Sequence, residues 1–430
     1  MRVLLTSYAA KTHFQNLVPL GWALHNAGHE VRVASHPMLT RIVTSSGLTA
    51  APVGADWELA RFMTEYPDEQ RFIHGIDFTT DGRERWDWAQ LLGMETVLVP
   101  CFYSFVNNAA FIDGLVDFAL DWRPDLVVWE SLSFAGAVAA RVSGAAHARL
   151  TYWYEDILAF ARAEFVSAAA DQPPTDREDP TAEWLGGALR RYGHDFDEEI
   201  VTGQWTIDTM PPSAHVPLGV QRVPMRYVPY NGPAEVPDWL HGPADRPRIC
   251  LTLGVTGREG AGGRTAMVTS MVSLPDLLDA MADLDVEVVA TLDESQRDGL
   301  PPLPDNVRLV DFVPLQALLP TCAAIVHHGG VGTWFTAATY GVPQIIVATS
   351  WDTPIRAQRT EERDAGLAVP AAELTPEVLR DKVIRVLEEP RFAAGAGRLR
   401  DELLATPTPA DIVPELVRLT EQHQGGGRGA

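Results

Sequence analysis

The sequence predicts an α/β protein made of two doubly wound, Rossmann-like domains, each a parallel sheet covered by helices. Three observations carry this. Short apolar runs alternate with segments of helical period from the first residues onward, as βαβ units do. A Pro- and Gly-rich stretch then interrupts the chain near its middle, and the alternation restarts after it. At 430 residues there is enough chain for two cores of ordinary size.

Taken in order, Val3, Leu4 and Leu5 form a buried strand, followed by the polar turn 6–12. Residues 13–27 carry Leu17, Leu20, Ala23 and Leu24 at helical spacing, and Pro19 places the start of the main helix near itself. Gly28 stops that helix and 29–34 is the next strand, which completes a right-handed parallel unit. Ligands of such sheets bind outside the carboxyl ends of the strands, so the first turn belongs to a site. It has Ser7, Tyr8 and Ala9 in place of Gly-x-Gly-x-x-Gly, which argues against a dinucleotide oxidoreductase. Residues 55–100 mix Trp57, Phe62, Tyr66, Phe72, Phe78, Trp86 and Trp88 with acids and arginines, and read as an excursion covering an acceptor site or a partner surface. A helix over 106–121 leads to the strand 125–129, with Glu130 at its carboxyl end and a small-residue helix over 133–142. The Pro- and acid-rich stretch 171–183 reads as a mobile loop.

The first domain is expected to span 1–232 and the linker 233–247, where Gly232-Pro233, Pro237, Gly242-Pro243 and Pro247 cluster. Strands recur at 248–254, 286–291, 307–309, 324–326 and 344–347, giving a second domain over 248–409. A last helix near 410–423 is expected to pack back on the first domain, ahead of a disordered Gly-rich tail over 425–430.

A net charge of −23 supplies no basic stripe for nucleic acid and disfavours an anionic membrane surface. Cys101, Cys250 and Cys322 are far apart and form no C-x-x-C, so neither a zinc site nor a disulfide framework is indicated. The sequence opens on a strand rather than a basic and apolar leader, and no uninterrupted apolar run approaches 18 residues; a cytoplasmic protein without a membrane span is expected.

The most chemical stretch is 322–333, an apolar run that breaks into His327-His328-Gly329-Gly330-Val331-Gly332-Thr333 and re-enters a helical period. Glycines let the backbone approach a ligand, and the helix that follows aims its free N–H groups and positive dipole end at the same place. The guest that fits is a phosphate or diphosphate.

Several stretches together resemble one family: Arg2-Val3-Leu4-Leu5-Thr6-Ser7 with Thr12-His13-Phe14, Arg123-Pro124-Asp125-Leu126-Val127-Val128-Trp129-Glu130, and Gly144-Ala145-Ala146-His147-Ala148-Arg149-Leu150. Val228-Pro229-Tyr230-Asn231-Gly232 and the stretch from 307 to 320 leading into the His-His-Gly-Gly turn continue the match. From Met1 to about His423 the chain looks like an antibiotic-type glycosyltransferase of the GT-B fold. It resembles most the actinomycete macrolide desosaminyltransferases and anthracycline aminosugar transferases. The resemblance implies two domains facing across a cleft, acceptor on the first and donor on the second. It implies transfer of a deoxy or aminodeoxy sugar, with inversion, from a dTDP-sugar to a hydroxyl of a polyketide aglycone. By likeness alone it also suggests a P450-like auxiliary protein, and it admits a homodimer.

Carried onto this sequence, the family's general base falls on His13, and the carboxylate that orients it on Glu130, where relatives have Asp. Asp113 and Asp125 are weaker choices for that carboxylate. Donor contacts fall on His328, with less weight on His327, and on Gly329, Gly330, Gly332 and Thr333. Phe312 and Val313 stand where many sugar transferases have Trp-x-Pro-Gln and would lie near the thymine. Asp352 and Thr353 match the segment that reaches the sugar; Asp-Thr in place of Asp-Gln suits a sugar with fewer hydroxyls. Gly254 is a further candidate for the donor, and Ser7, Trp86 and Phe102 for the acceptor. No metal and no cofactor beyond the sugar nucleotide are expected. The alternatives are an epimerase of the same fold acting on a nucleotide sugar, and a homologue that binds sugar nucleotide without catalysis.

Overall fold

The computed structural model describes residues 1–57, 67–242, 244–252, 274–292, 297 and 300–426. They form two compact units. One comprises Met1–His74, Glu84–Gly232 and Thr406–Ala430, and the other Gly75–Arg83 and Pro233–Ala405.

The first unit is built on seven parallel strands: β1 (Arg2–Thr6), β2 (Glu30–Ser35), β3 (Ala50–Pro52), β4 (Leu126–Glu130), β5 (Ala146–Thr151), β6 (Trp205–Asp208) and β7 (Arg222–Pro224). Their order is β3-β2-β1-β4-β5-β6-β7, so the winding reverses between β1 and β4. Val3, Leu4, Leu5 and Val127, Val128, Trp129 are fully buried, because helices cover both faces of the sheet. The helix Val18–Asn26 carries Pro19 in its first turn, where a missing N–H costs nothing. The helix Ala109–Trp122 starts later than its pattern suggests, because the Asn108 side chain accepts from Phe111 N and caps it there.

The second unit has six parallel strands: β8 (Arg248–Thr252), β9 (Glu287–Thr291), β10 (Val307–Val310), β11 (Cys322–His327), β12 (Gln344–Ala348) and β13 (Gly366–Pro370). Their order is β10-β9-β8-β11-β12-β13, reversing between β8 and β11. Ile249, Val288, Ala324, Ile345, Leu367 and Leu379 belong to one buried cluster under this sheet.

Three readings change. The acid- and Pro-rich stretch 171–183 is not a plain loop: Asp179 accepts from Ala182 N (2.9 Å), starts the helix Pro180–Arg190 and pairs with the buried Arg162 (2.8 Å). Within the aromatic excursion, Gly75–Arg83 clusters with the second unit, where the buried Phe78 meets Trp351 edge-on at 5.5 Å. Trp88–Val106 is a 19-residue helical stretch apolar enough, by length and composition, to cross a membrane, although no uninterrupted apolar run in it is that long. It contains Glu95, which accepts from Thr181 (2.5 Å) and lies 3.5 Å from Arg162, so its apolar face serves as core. Phe62 and Tyr66 lie outside the described residues.

The last helix runs Val413–Gly426, two residues into the stretch expected to be a tail. It belongs to the first unit: Gln424 donates to Asp125 O (3.0 Å), and the His423 ring lies 5.5 Å from that of Trp205.

At the carboxyl end of β2, His36 is fully buried and stacked on Phe111 at 4.0 Å. Among the described residues neither ring nitrogen has a hydrogen-bond partner, and burial, against a small opposing pull from Asp56, pushes its pKa down to about 4. A depressed histidine lets the unfolded chain take up a proton that the folded chain refuses, so its stability contribution is lost as pH falls below about 6.5. His36→Phe should leave the urea midpoint near neutral pH almost unchanged. At pH 5 it should raise stability relative to the parent by about 1–2 kcal/mol, read from urea unfolding at both pH values.

Candidate active site

The reversal point of the first sheet brings together the carboxyl ends of β1 and β4, where a doubly wound fold leaves a crevice. Residues Lys11–Gln15 form a short helix just beyond β1, and His13 lies on it. Glu130 is the last residue of β4 and is fully buried. His13 Nδ1 and Glu130 Oε1 are 3.0 Å apart. A carboxylate only accepts, so the imidazole carries its proton on Nδ1 and Nε2 is left as the basic nitrogen. The His13 side chain keeps 17% of its surface exposed, enough for a substrate to reach it.

Glu130 is satisfied on both oxygens. Ser131 Oγ (3.1 Å) and the Tyr152 hydroxyl (3.1 Å) donate to Oε1 beside His13, while Leu132 N and Ser133 Oγ donate to Oε2, each at 3.2 Å. The Tyr152 hydroxyl also touches His13 Nδ1. Trp153 Nε1 donates to Ser131 Oγ (2.8 Å), and Tyr8 N donates to Ser133 Oγ (2.7 Å). Asn107 then fixes the start of the following helix, donating to Leu132 O (2.8 Å) and accepting from Ala135 N (3.0 Å). The weaker carboxylates are used elsewhere: Asp113 accepts from Arg191 and Tyr192, and Asp125 from Arg2 N.

The rings beside His13 are Tyr8 (4.7 Å), Tyr152 (5.4 Å) and Trp153 (6.4 Å), and Trp57 and Phe105 extend the group from Tyr8. Ser7 is fully buried and its hydroxyl donates to Tyr8 O (2.9 Å), so it shapes the turn and presents no hydroxyl to a ligand. Trp86 packs near Phe160 at 6.1 Å, and Phe102 lies beside Tyr103 at 5.9 Å.

In the second unit the reversal point coincides with the carboxyl end of β11 and the His-His-Gly-Gly turn. His327 is fully inside: Nε2 donates to Gln344 Oε1 (2.9 Å) and Nδ1 accepts from Gly329 N (3.1 Å). Burial first, and the nearby Arg356 cation after it, push its pKa down to about 3 against the Gln344 bond. Both nitrogens are therefore committed to the turn. The His328 ring folds over Gly330, where a Cβ would sit 2.8 Å from its Nε2. Gly329 has φ +82, and a Cβ there would press on Thr353 and Ile346 at about 3 Å. The helix Val331–Tyr340 begins here with Gly330 at its N-cap, and Gly332 and Thr333 lie half-buried in its first turn. Its first N–H groups have no intrahelical acceptor and form an anion-binding end.

Asp352 and Thr353 correct the sequence reading. Asp352 is buried and paired with the fully buried Arg356, which also donates to Gly329 O. The Thr353 hydroxyl accepts from Thr349 N (3.1 Å) and Ser350 N (3.2 Å) and donates to Ser350 O (2.8 Å). These two side chains fasten the turn instead of reaching a sugar. The i, i+4 spacing of Asp352 and Arg356 was the available sign of this. Phe312 is 45% exposed, as a ring that stacks on a base would be, whereas Val313 is buried. Gly254 lies outside the described residues.

Residues 22–254 match the family model of the erythromycin biosynthesis protein CIII-like N-terminal domain, and 275–419 that of the C-terminal domain. The chain is 53% identical to the 10-deoxymethynolide desosaminyltransferase of Streptomyces venezuelae, covering 99% of this chain and 98% of that protein. It is 51% identical to the 3-alpha-mycarosylerythronolide B desosaminyl transferase of Saccharopolyspora erythraea, covering 96% and 97%. Among solved structures, the glycosyltransferase VinC in complex with dTDP superposes with a TM-score of 0.87 at 41% identity, covering 98% of this chain and 100% of that one.

Removing the Arg356 charge leaves the Asp352 carboxylate buried alone. Arg356→Met should cost about 3–5 kcal/mol in urea unfolding, and adding Asp352→Asn should recover part of that loss.

Proposed function

The chain belongs to the erythromycin biosynthesis protein CIII-like family and is a glycosyltransferase of the GT-B fold, and from that premise we propose that it moves a deoxy or aminodeoxy sugar from a dTDP-sugar to a hydroxyl of a polyketide aglycone. The desosaminyl transferases named above, at half the residues identical over nearly full length, support the sugar class and the aglycone class. The dTDP complex of VinC supports the nucleotide.

The observation that carries the mechanism is the 3.0 Å bond between His13 and Glu130. An aglycone hydroxyl is a poor nucleophile until it sheds its proton. His13 Nε2 takes that proton as the oxygen attacks the anomeric carbon from the face opposite the diphosphate, which inverts the centre. Glu130 holds the imidazole in the productive tautomer and balances the imidazolium that forms. The bond from carbon to diphosphate breaks with its electron pair on the leaving group. The N-terminal end of the helix Val331–Tyr340, Thr333 and His328 meet the new charge and bind it more tightly than the ground state. Phe312 offers a face for thymine. The aromatic rings Tyr8, Trp57 and Phe105 beside His13 suit an apolar aglycone. The dependence on a P450-like auxiliary protein rests on family resemblance alone.

The test is incubation with dTDP-aminodeoxysugars and macrolactone or anthracyclinone acceptors, with and without such a helper, followed by mass spectrometry of the glycoside. His13→Ala should lower kcat by about 10²–10⁴-fold with dTDP affinity unchanged. Turnover equal to the parent's would overturn the base assignment. A donor epimerised without transfer to any acceptor would overturn the transferase reading.

A further inference from the structure

Tyr152 stands one residue beyond β5 and is buried, yet its hydroxyl reaches both members of the His13–Glu130 pair. No βαβ pattern asks for a tyrosine there, and nothing in the family motifs quoted above reaches it.

The segment that delivers it is built under strain. Glu155 and Asp156 both hold left-handed backbone angles, φ 53 and 49, which cost of order 1 kcal/mol or more each for side chains of this kind. Asp156 is pinned by Arg149, whose guanidinium donates to its Oδ2 at 2.5 Å with both side chains 2% exposed, and donates again to Thr206 (3.2 Å). Trp153 stacks on Tyr152 (5.8 Å, 18°) and donates through Ser131 toward the same carboxylate. A loop that only joined a strand to the helix Ile157–Ala170 would not need two strained residues, a buried ion pair and a relay of three side chains converging on Glu130.

We propose that Tyr152 is a positioning residue that acts through His13, by sharing Glu130 Oε1 with the imidazole. This rests on the reading of His13 as the base. Glu130 Oε1 accepts from His13, Tyr152 and Ser131 together, so the phenol draws off part of the carboxylate charge that would otherwise bind the imidazolium. The titratable groups facing His13 are Glu130 from β4, Tyr152 from the segment after β5 and Tyr8 from the turn after β1. The His13 ring is also held by an edge-on contact with Tyr152 at 5.4 Å.

Tyr152→Phe keeps the buried ring and removes one oxygen, so the fold should survive, as circular dichroism and the melting temperature will show. Two readouts follow. In NMR titration of the full chain, with the His13 signal assigned by its loss in His13→Gln, the protonation midpoint should rise by about 0.5–1 pH unit in Tyr152→Phe. In the pH profile of kcat/KM for sugar transfer the acid limb should move up by the same amount, with kcat lowered about 3–10-fold below that limb and acceptor KM within about twofold. A His13 midpoint and an acid limb that both stay where they are in the parent would overturn the proposal. So would a change confined to acceptor KM, which would make Tyr152 a substrate contact. The two readings fail separately: turnover that survives His13→Gln defeats the base, while the NMR midpoint still reports whether Tyr152 governs that imidazole.

Discussion

A carboxylate fully enclosed at the end of a parallel strand has to be given donors, and the centre of the first unit is organised by that demand at Glu130. An ionised carboxyl without partners in such a place would cost several kcal/mol. Five groups answer it: one backbone N–H, two serine hydroxyls, a tyrosine and an imidazole. Four of the five are themselves buried and tied to the sheet or to the helix after it, so their positions are not adjustable. Only His13 has one side toward solvent. The constraint therefore does two things at once. It makes the loop after β4 rigid, and it leaves one member of the network able to exchange a proton with something outside.

The second unit meets a similar problem with the opposite charge. Arg356 is enclosed, and its guanidinium is divided between the carboxylate of Asp352 and the carbonyl of Gly329. One end of that link lies in the His-His-Gly-Gly turn and the other at the start of the helix Thr353–Glu362. The turn is thereby held in a left-handed backbone conformation at Gly329, where a Cβ would press on Thr353 and Ile346. An anion site made of backbone N–H groups is only as good as the fixity of those groups, since donors that must be ordered by the ligand spend binding energy on ordering.

Much of this was legible beforehand, for identifiable reasons. Apolar runs and glycine stops give the strands, and the carboxyl-end rule then places His13, Glu130 and the glycine turn at sites without any knowledge of contacts. What stayed hidden depends on three-dimensional convergence. Tyr152 reaches Glu130 from a segment in which Glu155 and Asp156 take left-handed angles, which no sequence pattern announces. Arg149, which holds Asp156, is one of three polar residues in β5, and no pattern sets it apart from His147 and Thr151. The positions of Ser7, Asp352 and Thr353 match a site, but position does not say which way a side chain is spent, and all three are engaged within their own turns. Sequence adjacency groups Gly75–Arg83 with the first domain, yet the Phe78 ring finds its partner, Trp351, some 270 residues away by number.

Histidine shows how far position alone falls short of function in this fold. His36 follows β2, His327 ends β11, His147 lies within β5, and His13 follows β1; three of the four are at carboxyl ends of strands. His36 and His327 are enclosed and held neutral, and His147, also enclosed, is pushed down to about 3 by burial and the Arg141 charge while accepting from Trp129 Nε1 (3.3 Å). Each of these can act only as a fixed shape with a fixed tautomer. His13 differs by one structural fact, that its carboxylate partner is wholly buried while its own ring is not. An imidazole in that setting has an internal counter-charge for its protonated form and an external route for the proton. Those are the two conditions that general-base chemistry sets, and the base proposed at His13 would have both because the helix that follows the first strand, Lys11–Gln15, is short.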